Sequence, residues 1–247
     1  MKLLIFVSKD IGLSLLDSTL GYNDEITLVI GNENRSECIN FAAENDLKYL
    51  TLEEYSPDDF ADNYFDWLLN LWGSHIFQSR DLAKAKDSLN VHPSYLPSGR
   101  GRDPIIHSLL EKAPLGASLH RISLGVDEGP IFHQSLVNYS FPFIGLDIYS
   151  EVIECCRAEF ERFWPLIRNN DIAPTEQETL SKKTHTRKET EDRRIQEWKQ
   201  LSDDQKSILE WISAYDFGSN YRALILKDDK KYHVSLTFEE IVGLDHA

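Results

Sequence analysis

Four short apolar runs, at residues 3–7, 26–30, 67–72 and 89–92, alternate with stretches of helical character, and this alternation constrains the fold more than any other feature of the chain. Apolar runs of strand length with little polar alternation are the pattern of strands buried on both faces. Between the first pair, residues 36–45, set between Gly31-Asn32 and Leu47, have the length of a crossover helix. Repeated strand-helix-strand units of this kind build a parallel sheet with helices on both faces. A further helix is expected over 104–111, where Pro104 stands near the start and Ile105, Ile106, Leu109 and Leu110 fall on adjoining turns. A long one is expected over 146–168, because Ile148, Val152, Ile153, Phe160 and Trp164 keep near-helical spacing. The expected fold class is α/β, a doubly wound and mostly parallel sheet.

The chain changes character near residue 180. Residues 181–200 hold seven basic and four acidic side chains, with Thr184-His185-Thr186-Arg187 at their head. Charge runs usually stay solvated, so this stretch is expected to be an exposed, irregular connector; phosphate binding by Lys182, Lys183 or Arg187 is the alternative. Residues 202–214 open on Ser-Asp-Asp and bring Ile208, Leu209 and Ile212 to one side, the pattern of a capped amphipathic helix. Residues 221–226 and 231–236 around Lys227-Asp228-Asp229-Lys230 have the form of a β-hairpin. The expected organisation is a core over 1–180 and a small C-terminal helix plus β-hairpin appendage over 181–247. A hairpin alone is marginal in water, so it must pack on the core or on a second copy, and a homodimer is expected.

Composition narrows the partners. The 247 residues carry a formal net charge of −15, which works against a nucleic-acid partner. Cys38, Cys155 and Cys156 form no CxxC pair, which fits a reducing compartment. The N-terminal apolar run stops at Ser8-Lys9-Asp10, too short for a signal peptide, and no run has transmembrane length. A cytoplasmic location without a membrane partner is expected. The histidines fall in no HExxH pattern and no zinc-ligand pairs with cysteines, so no metal is expected and His107, His120, His133, His185 and His233 are assigned to core, surface or strand positions. GxGxxG, Walker A and GxSxG sequences are also missing, which disfavours dinucleotide, P-loop and serine-hydrolase chemistry.

Chemistry concentrates in two blocks. In Asn90-Val91-His92-Pro93-Ser94-Tyr95-Leu96-Pro97-Ser98-Gly99-Arg100-Gly101, residues 90 and 92 share one face of a strand, the prolines stop it, and the glycines permit turns or close backbone approach. Polar side chains at a strand end stand where α/β sheets usually bind ligands. The second block, Gly116-Ala117-Ser118-Leu119-His120-Arg121-Ile122-Ser123-Leu124-Gly125-Val126-Asp127-Glu128-Gly129-Pro130-Ile131, has the form of a strand, a tight acidic turn and another strand.

Together these blocks resemble the folate-dependent formyltransferases, whose core carries an Asn-X-His-Pro-Ser-X-Leu-Pro segment and a later Asp-X-Gly-Pro-Ile-like segment. The match spans residues 65–135 and is diffuse outside them. The resemblance implies Asn90, His92 and Asp127 as the catalytic set: an amide to support a tetrahedral oxyanion, an imidazole to take the amine proton, and a carboxylate to orient the imidazole or the amine. It implies N10-formyltetrahydrofolate as co-substrate, gripped near Gly73, Ile76 and Phe77 and near Leu124 and Val126.

The tail resembles that of nucleotide-sugar N-formyltransferases, through Ile212-Ser213-Ala214-Tyr215-Asp216-Phe217-Gly218-Ser219-Asn220-Tyr221-Arg222-Ala223. That likeness implies an amino deoxysugar linked to a nucleotide as acceptor, destined for a surface polysaccharide, with Trp211, Tyr215, Phe217 or Tyr221 available to stack on a base. Lys9 is the candidate for a diphosphate. The chain departs from the family in having Ser98-Gly99 where an aromatic often precedes Arg100-Gly101, and in lacking a glycine-rich loop after the first strand. Hydrolysis of formyltetrahydrofolate, formyl transfer to methionyl-tRNA and folate binding without catalysis are the alternative readings.

Overall fold

A computed structural model of the chain describes residues 1–140, 143–178, 183–194, 201–214 and 223–237. The chain divides into two compact units, Met1–Thr190 and Glu191–Ala247.

The first unit runs through β1 (Lys2–Val7), α1 (Lys9–Asp17), β2 (Glu25–Ile30), α2 (Arg35–Glu44), β3 (Lys48–Thr51), β4 (Phe65–Leu71), α3 (Ser79–Leu82), β5 (Ala85–His92), α4 (Pro104–Glu111), β6 (Leu115–His120), β7 (Ile131–Val137) and α5 (Gly145–Arg168). These strands form one sheet of order β3-β2-β1-β4-β5-β6-β7. The pairings from β3 to β5 are parallel; β6 and β7 join antiparallel.

Alternation along β1 explains its unbroken apolar sequence. Leu3, Ile5 and Val7 enter the larger core with Leu15 and Leu16 of α1 and Val152, Phe160 and Trp164 of α5, whereas Leu4 and Phe6 enter a smaller core with Val29, Phe65, Leu68 and Phe77. A strand covered on both faces has no solvent side on which to place polar residues. The anticipated helices at 36–45, 104–111 and 146–168 are α2, α4 and α5. β5 starts at Ala85, four residues before the expected start at 89. Its polar beginning stays in the sheet because Ala85 and Ser88 pair in register with Phe65 and Leu68, and Arg121 holds Asp87 through two bonds of 2.6 and 2.7 Å.

The order of strands reverses at β1: β2 and β3 extend the sheet on one side, β4 and β5 on the other. The C-terminal ends of β1 and β4 therefore diverge into loops that run apart, leaving a crevice of the kind that receives ligands in open α/β sheets.

The charged stretch expected to be irregular contains a helix, α6 (Arg187–Arg194). Local bonds stabilise it: the Thr186 hydroxyl accepts from the Glu189 amide at 3.2 Å, and Arg194 pairs with Glu191 at 2.7 Å. Charge content signals exposure, but pairs at i,i+3 and i,i+4 also build helix.

In the second unit, α7 (Asp203–Ala214) begins on a reciprocal cap in which the Ser202 amide donates to Gln205 Oε1 at 2.8 Å and the Gln205 amide to Ser202 Oγ at 3.2 Å. β8 (Ala223–Lys227) and β9 (Lys230–Val234) form the anticipated hairpin. Asp228 and Asp229 both adopt positive φ, as a two-residue type I′ loop requires.

Candidate active site

The site is built on a row of polar residues across three neighbouring strands. Asn70 of β4 stands beside Asn90 of β5, which stands opposite His120 of β6. Register places their side chains on one face, and burial obliges them to bond to one another. Asn70 Nδ2 donates to Asn90 Oδ1 at 2.9 Å and to the Gly73 carbonyl at 3.3 Å. The Asn90 amide nitrogen lies 2.9 Å from His120 Nε2 and donates to Asp127 Oδ1 at 3.3 Å. His120 Nδ1 lies 2.9 Å from the Arg121 carbonyl, which can only accept. Nδ1 therefore carries hydrogen, and Nε2 faces both the Asn90 amide and Asp127 Oδ1, the latter at 3.5 Å.

His92 lies two residues beyond Asn90, at the end of β5. Its Nε2 donates to the Gly99 carbonyl at 2.9 Å, which leaves Nδ1 facing Asp127 Oδ2 at 3.7 Å. That separation is too long for a hydrogen bond, so it becomes favourable only when a proton reaches Nδ1. Burial pushes the His92 pKa down more strongly than the Asp127 charge pulls it up, with His120 adding to the decrease. His92 is thus neutral near pH 7 and able to accept a proton.

Asp127 reaches this cluster from the acidic turn, at a positive φ of 53°. Burial works to raise its pKa, but His92, His120 and the amide of Gly101 more than offset it and hold the carboxyl well below the usual range. The Gly101 amide donates to Oδ2 at 2.8 Å. Gln177 fixes the turn from behind, donating to the carbonyls of Asp127 at 2.9 Å and Gly129 at 2.8 Å while accepting from Arg100 at 2.6 Å.

Close approach explains one glycine of the first block. Gly101 adopts φ +90°, and a Cβ there would stand 2.2 Å from the carbonyl oxygen of His185. The backbone of His185 pairs on both sides of it, donating to the Arg100 carbonyl at 2.9 Å and accepting from the Arg102 amide at 3.0 Å.

Asn90, His92, His120 and Asp127 open onto a cavity of about 520 Å³. Its walls come from the loops after β1, β4 and β5, from the acidic turn, from the first turn of α4 and from residues 184–187. Gly73, Ile76, Phe77, Leu124 and Val126 all line it. Ile76 and Leu124 expose 69% and 65% of their surface, leaving apolar area for a ligand to cover, whereas Phe77 is mainly a core residue packed edge-on to Phe6 at 4.8 Å. Lys9 also lines the cavity, with Arg102 and Arg187. Partial burial lowers the Lys9 pKa, and the positive charges of Arg102 and Arg187 lower it further against the opposing pull of Asp103. Trp211 lies on α7 in the second unit, 40% exposed. Tyr215, Phe217 and Tyr221 lie outside the described residues.

Asn70 and His120 were not anticipated as site residues. Asn70 had a signal, as the one polar residue inside the apolar run Trp67-Leu68-Leu69-Asn70-Leu71-Trp72. His120 had only the end of a strand.

No protein-family model matches the chain. Among solved structures the fold is similar to a sugar N-formyltransferase from Shewanella sp. FDAARGOS_354, with a TM-score of 0.72 at 16% identity, covering 98% of this chain and 99% of that one. It is similar to a 4-N formyltransferase from Francisella tularensis, with a TM-score of 0.70 at 17% identity over 97% and 98% of the two chains. An N-formyltransferase from Helicobacter canadensis, in complex with folinic acid and dTDP-3-aminofucose, gives 0.64 at 21% identity over 76% and 71%. The chain has the α/β fold of these formyltransferases. Its likeness to the first two extends over nearly the whole of both chains.

Proposed function

We propose that the protein transfers a formyl group from N10-formyltetrahydrofolate to the amino group of a nucleotide-linked amino deoxysugar, in the cytoplasm, for surface polysaccharide biosynthesis. The observation that carries this reading is the convergence of Asn90, His92 and Asp127, from two separate sequence blocks, on one cavity. The folate and the nucleotide-linked sugar are taken from what the Helicobacter neighbour binds.

In this mechanism the neutral amine attacks the formyl carbon, forming the new C–N bond and placing negative charge on the formyl oxygen. Asn90 gives up its long bond to Asp127 and turns that hydrogen to the oxyanion, a role in which single donors contribute about 2.7–4 kcal/mol. His92 takes the amine proton at Nδ1, and general-base help of this kind is typically worth about 10² to 10⁴ in rate. The imidazolium so formed is stabilised by Asp127, which is already anionic. Collapse of the intermediate breaks the C–N10 bond, and the His92 imidazolium gives its proton to the departing N10, which restores the neutral ring. Lys9, Arg102 and Arg187 supply positive charge for the diphosphate, and Leu124, Val126 and Ile76 supply apolar surface for the pterin.

Of the two roles open to the C-terminal appendage, acceptor binding or dimerisation, the second unit is assigned here to pairing of two copies. Leu224 and Leu226 are 45% and 70% exposed on the hairpin, an apolar strip that suits a homodimer.

The test is formyl transfer to a panel of nucleotide-linked 3-amino and 4-amino deoxysugars, with a no-acceptor control and initiator tRNA. Sugar-dependent release of tetrahydrofolate supports the reading. Release without acceptor replaces it with hydrolysis, and transfer to tRNA alone replaces the acceptor class.

A further inference from the structure

Beside the cavity, but outside the polar row, two histidines and two glutamates come together from separate segments. Glu189 lies in the first turn of α6 and His185 two residues before that helix, while His107 and Glu111 are four residues apart on α4. Side chains at that spacing on a helix share a face. Each of the four residues offers a ligand atom, and these atoms all lie within 4.8 Å of one another. We propose that His107, Glu111, His185 and Glu189 bind a divalent transition-metal ion of the zinc class, which clamps the start of α6 to α4.

The donor set suits the ion. Two imidazoles and two carboxylates supply four nitrogen and oxygen ligands and neutralise a dication, a combination zinc accepts in tetrahedral geometry. Burial gives the site an inner and an outer side: His107 and His185 are 0% and 4% exposed, Glu111 is exposed, and Glu189 lies between. An ion can therefore enter past Glu111.

The surrounding contacts already orient the ligands. Thr190 Oγ1 lies 3.0 Å from His107 Nε2, an outer contact of the type that fixes ligating imidazoles. Lys183 binds Glu189 through Oε1, while Oε2 stays 3.2 Å from His185 Nδ1. On the other side of the same ring, Glu111 Oε2 lies 3.6 Å from His185 Nε2.

One movement is required. The two rings stack with centroids 3.8 Å apart and planes 6° from parallel, so their ring nitrogens point in parallel planes rather than at a common centre. Binding must open the stack until the ligand atoms sit at the ~2.0–2.2 Å that zinc demands. The rotation falls on the two side chains, since His107 is held on α4 and the backbone of His185 is held by its bridge to Gly101.

The position matters because His185 holds the cavity wall. Its backbone brackets Gly101, whose amide holds Asp127. An ion that fixes His185 to α4 stiffens this connection, whatever reaction the cavity performs, so the metal site stands or falls separately from formyl transfer.

The experiment uses the full chain, stripped with a chelator and titrated with zinc against a chromophoric competitor, alongside thermal unfolding. The expected result is one ion per chain and a Tm rise of roughly 5–10 °C at free zinc a hundredfold above Kd. Glu111→Gln changes an exposed residue and is expected to keep the metal-free Tm while weakening zinc binding at least ~10-fold, a loss in line with removing one ligand-supporting group. His185→Gln is expected to abolish binding. Cobalt substitution gives a visible spectrum that changes in Glu189→Gln. Absence of stoichiometric zinc binding overturns the proposal, as does zinc binding that Glu111→Gln and His185→Gln leave unchanged, because the ion then sits elsewhere.

Discussion

The backbone amide of Gly101 donates to Asp127 Oδ2 at 2.8 Å, while His92 Nδ1 faces that same oxygen at 3.7 Å. The loop that follows β5 thus returns to hold the carboxylate opposite the imidazole at the end of β5. Conformation and contact both restrict position 101, through its φ of +90° and the nearby His185 carbonyl. Gly101→Ala is expected to destabilise the fold by more than about 1 kcal/mol, since a side chain at an incompatible φ costs more than the entropy it saves. Displacing the amide also misplaces Asp127, and an error of about 1 Å in such a site can cost up to 10² in kcat. Denaturant unfolding and initial rates measured on the same preparation check both effects; a variant with normal stability and rate removes this account of the loop.

Asn90 and Asn70 are adjacent in the sheet but differ in their expected mutant signatures. Asn90→Ala removes the donor assigned to the oxyanion, so kcat is expected to fall by about 10²–10³ with folate affinity retained. Asn70 is a positioning residue that anchors Asn90 Oδ1. Asn70→Ala should cost less in kcat, and combining it with Asn90→Ala should add little, because its effect passes through Asn90. Full additivity of the two losses would show that Asn70 acts by another route.

Much of this site was legible before any coordinates because the chemistry is confined to short segments. Asn90 and His92 sit two apart on one strand, and the prolines and glycines after them announce the loop. The contribution of Asn70 and His120 depends on register between strands distant in sequence, which no local pattern encodes. β6 and β7 close the sheet antiparallel for a similar reason, as strand direction follows from the length and path of the connection. Arg187 shows a different failure. Its charge run suggested a solvated connector, yet local capping and ion pairs make α6 and bring Arg187 to the cavity.

Acidification should silence the proposed transfer and loosen the fold through the same histidine. Burial lowers the folded pKa of His92 below its ordinary 6.5, and the neutral ring is the active base. The acid limb of kcat/KM is therefore expected below pH 6.5, with activity falling as pH drops through the depressed value. The stability contributed by keeping His92 neutral is fully present above pH 6.5 and is lost as pH falls from there toward the folded pKa, because the unfolded chain takes up the proton first. Asp127, also depressed, adds a loss of the same sign below its ordinary value of 3.8. A pH-rate profile for wild type and for His92→Gln, with unfolding curves over the same range, tests this. An acid limb above pH 6.5 would contradict a base held neutral by burial.

Lys9 and Arg187 provide the test of the acceptor end. Lys9 pairs with Glu33 at 2.7 Å and Arg187 with Asp103 at 3.5 Å, so neither is a bare cation, yet Arg102 and Arg187 still depress the Lys9 pKa. Three positive groups held close enough to oppose one another are relieved by an anion that bridges them, as a diphosphate would. Lys9→Met and Arg187→Gln are each expected to raise KM for the nucleotide sugar by about tenfold, corresponding to roughly 1.5 kcal/mol for one charge-assisted hydrogen bond. KM for the folate and kcat should change little, since neither side chain contacts the polar row. Because both groups are partly exposed, the wild-type KM should rise with salt and the variants should show a shallower dependence. A loss of kcat with unchanged KM would instead assign these cations to the chemical step.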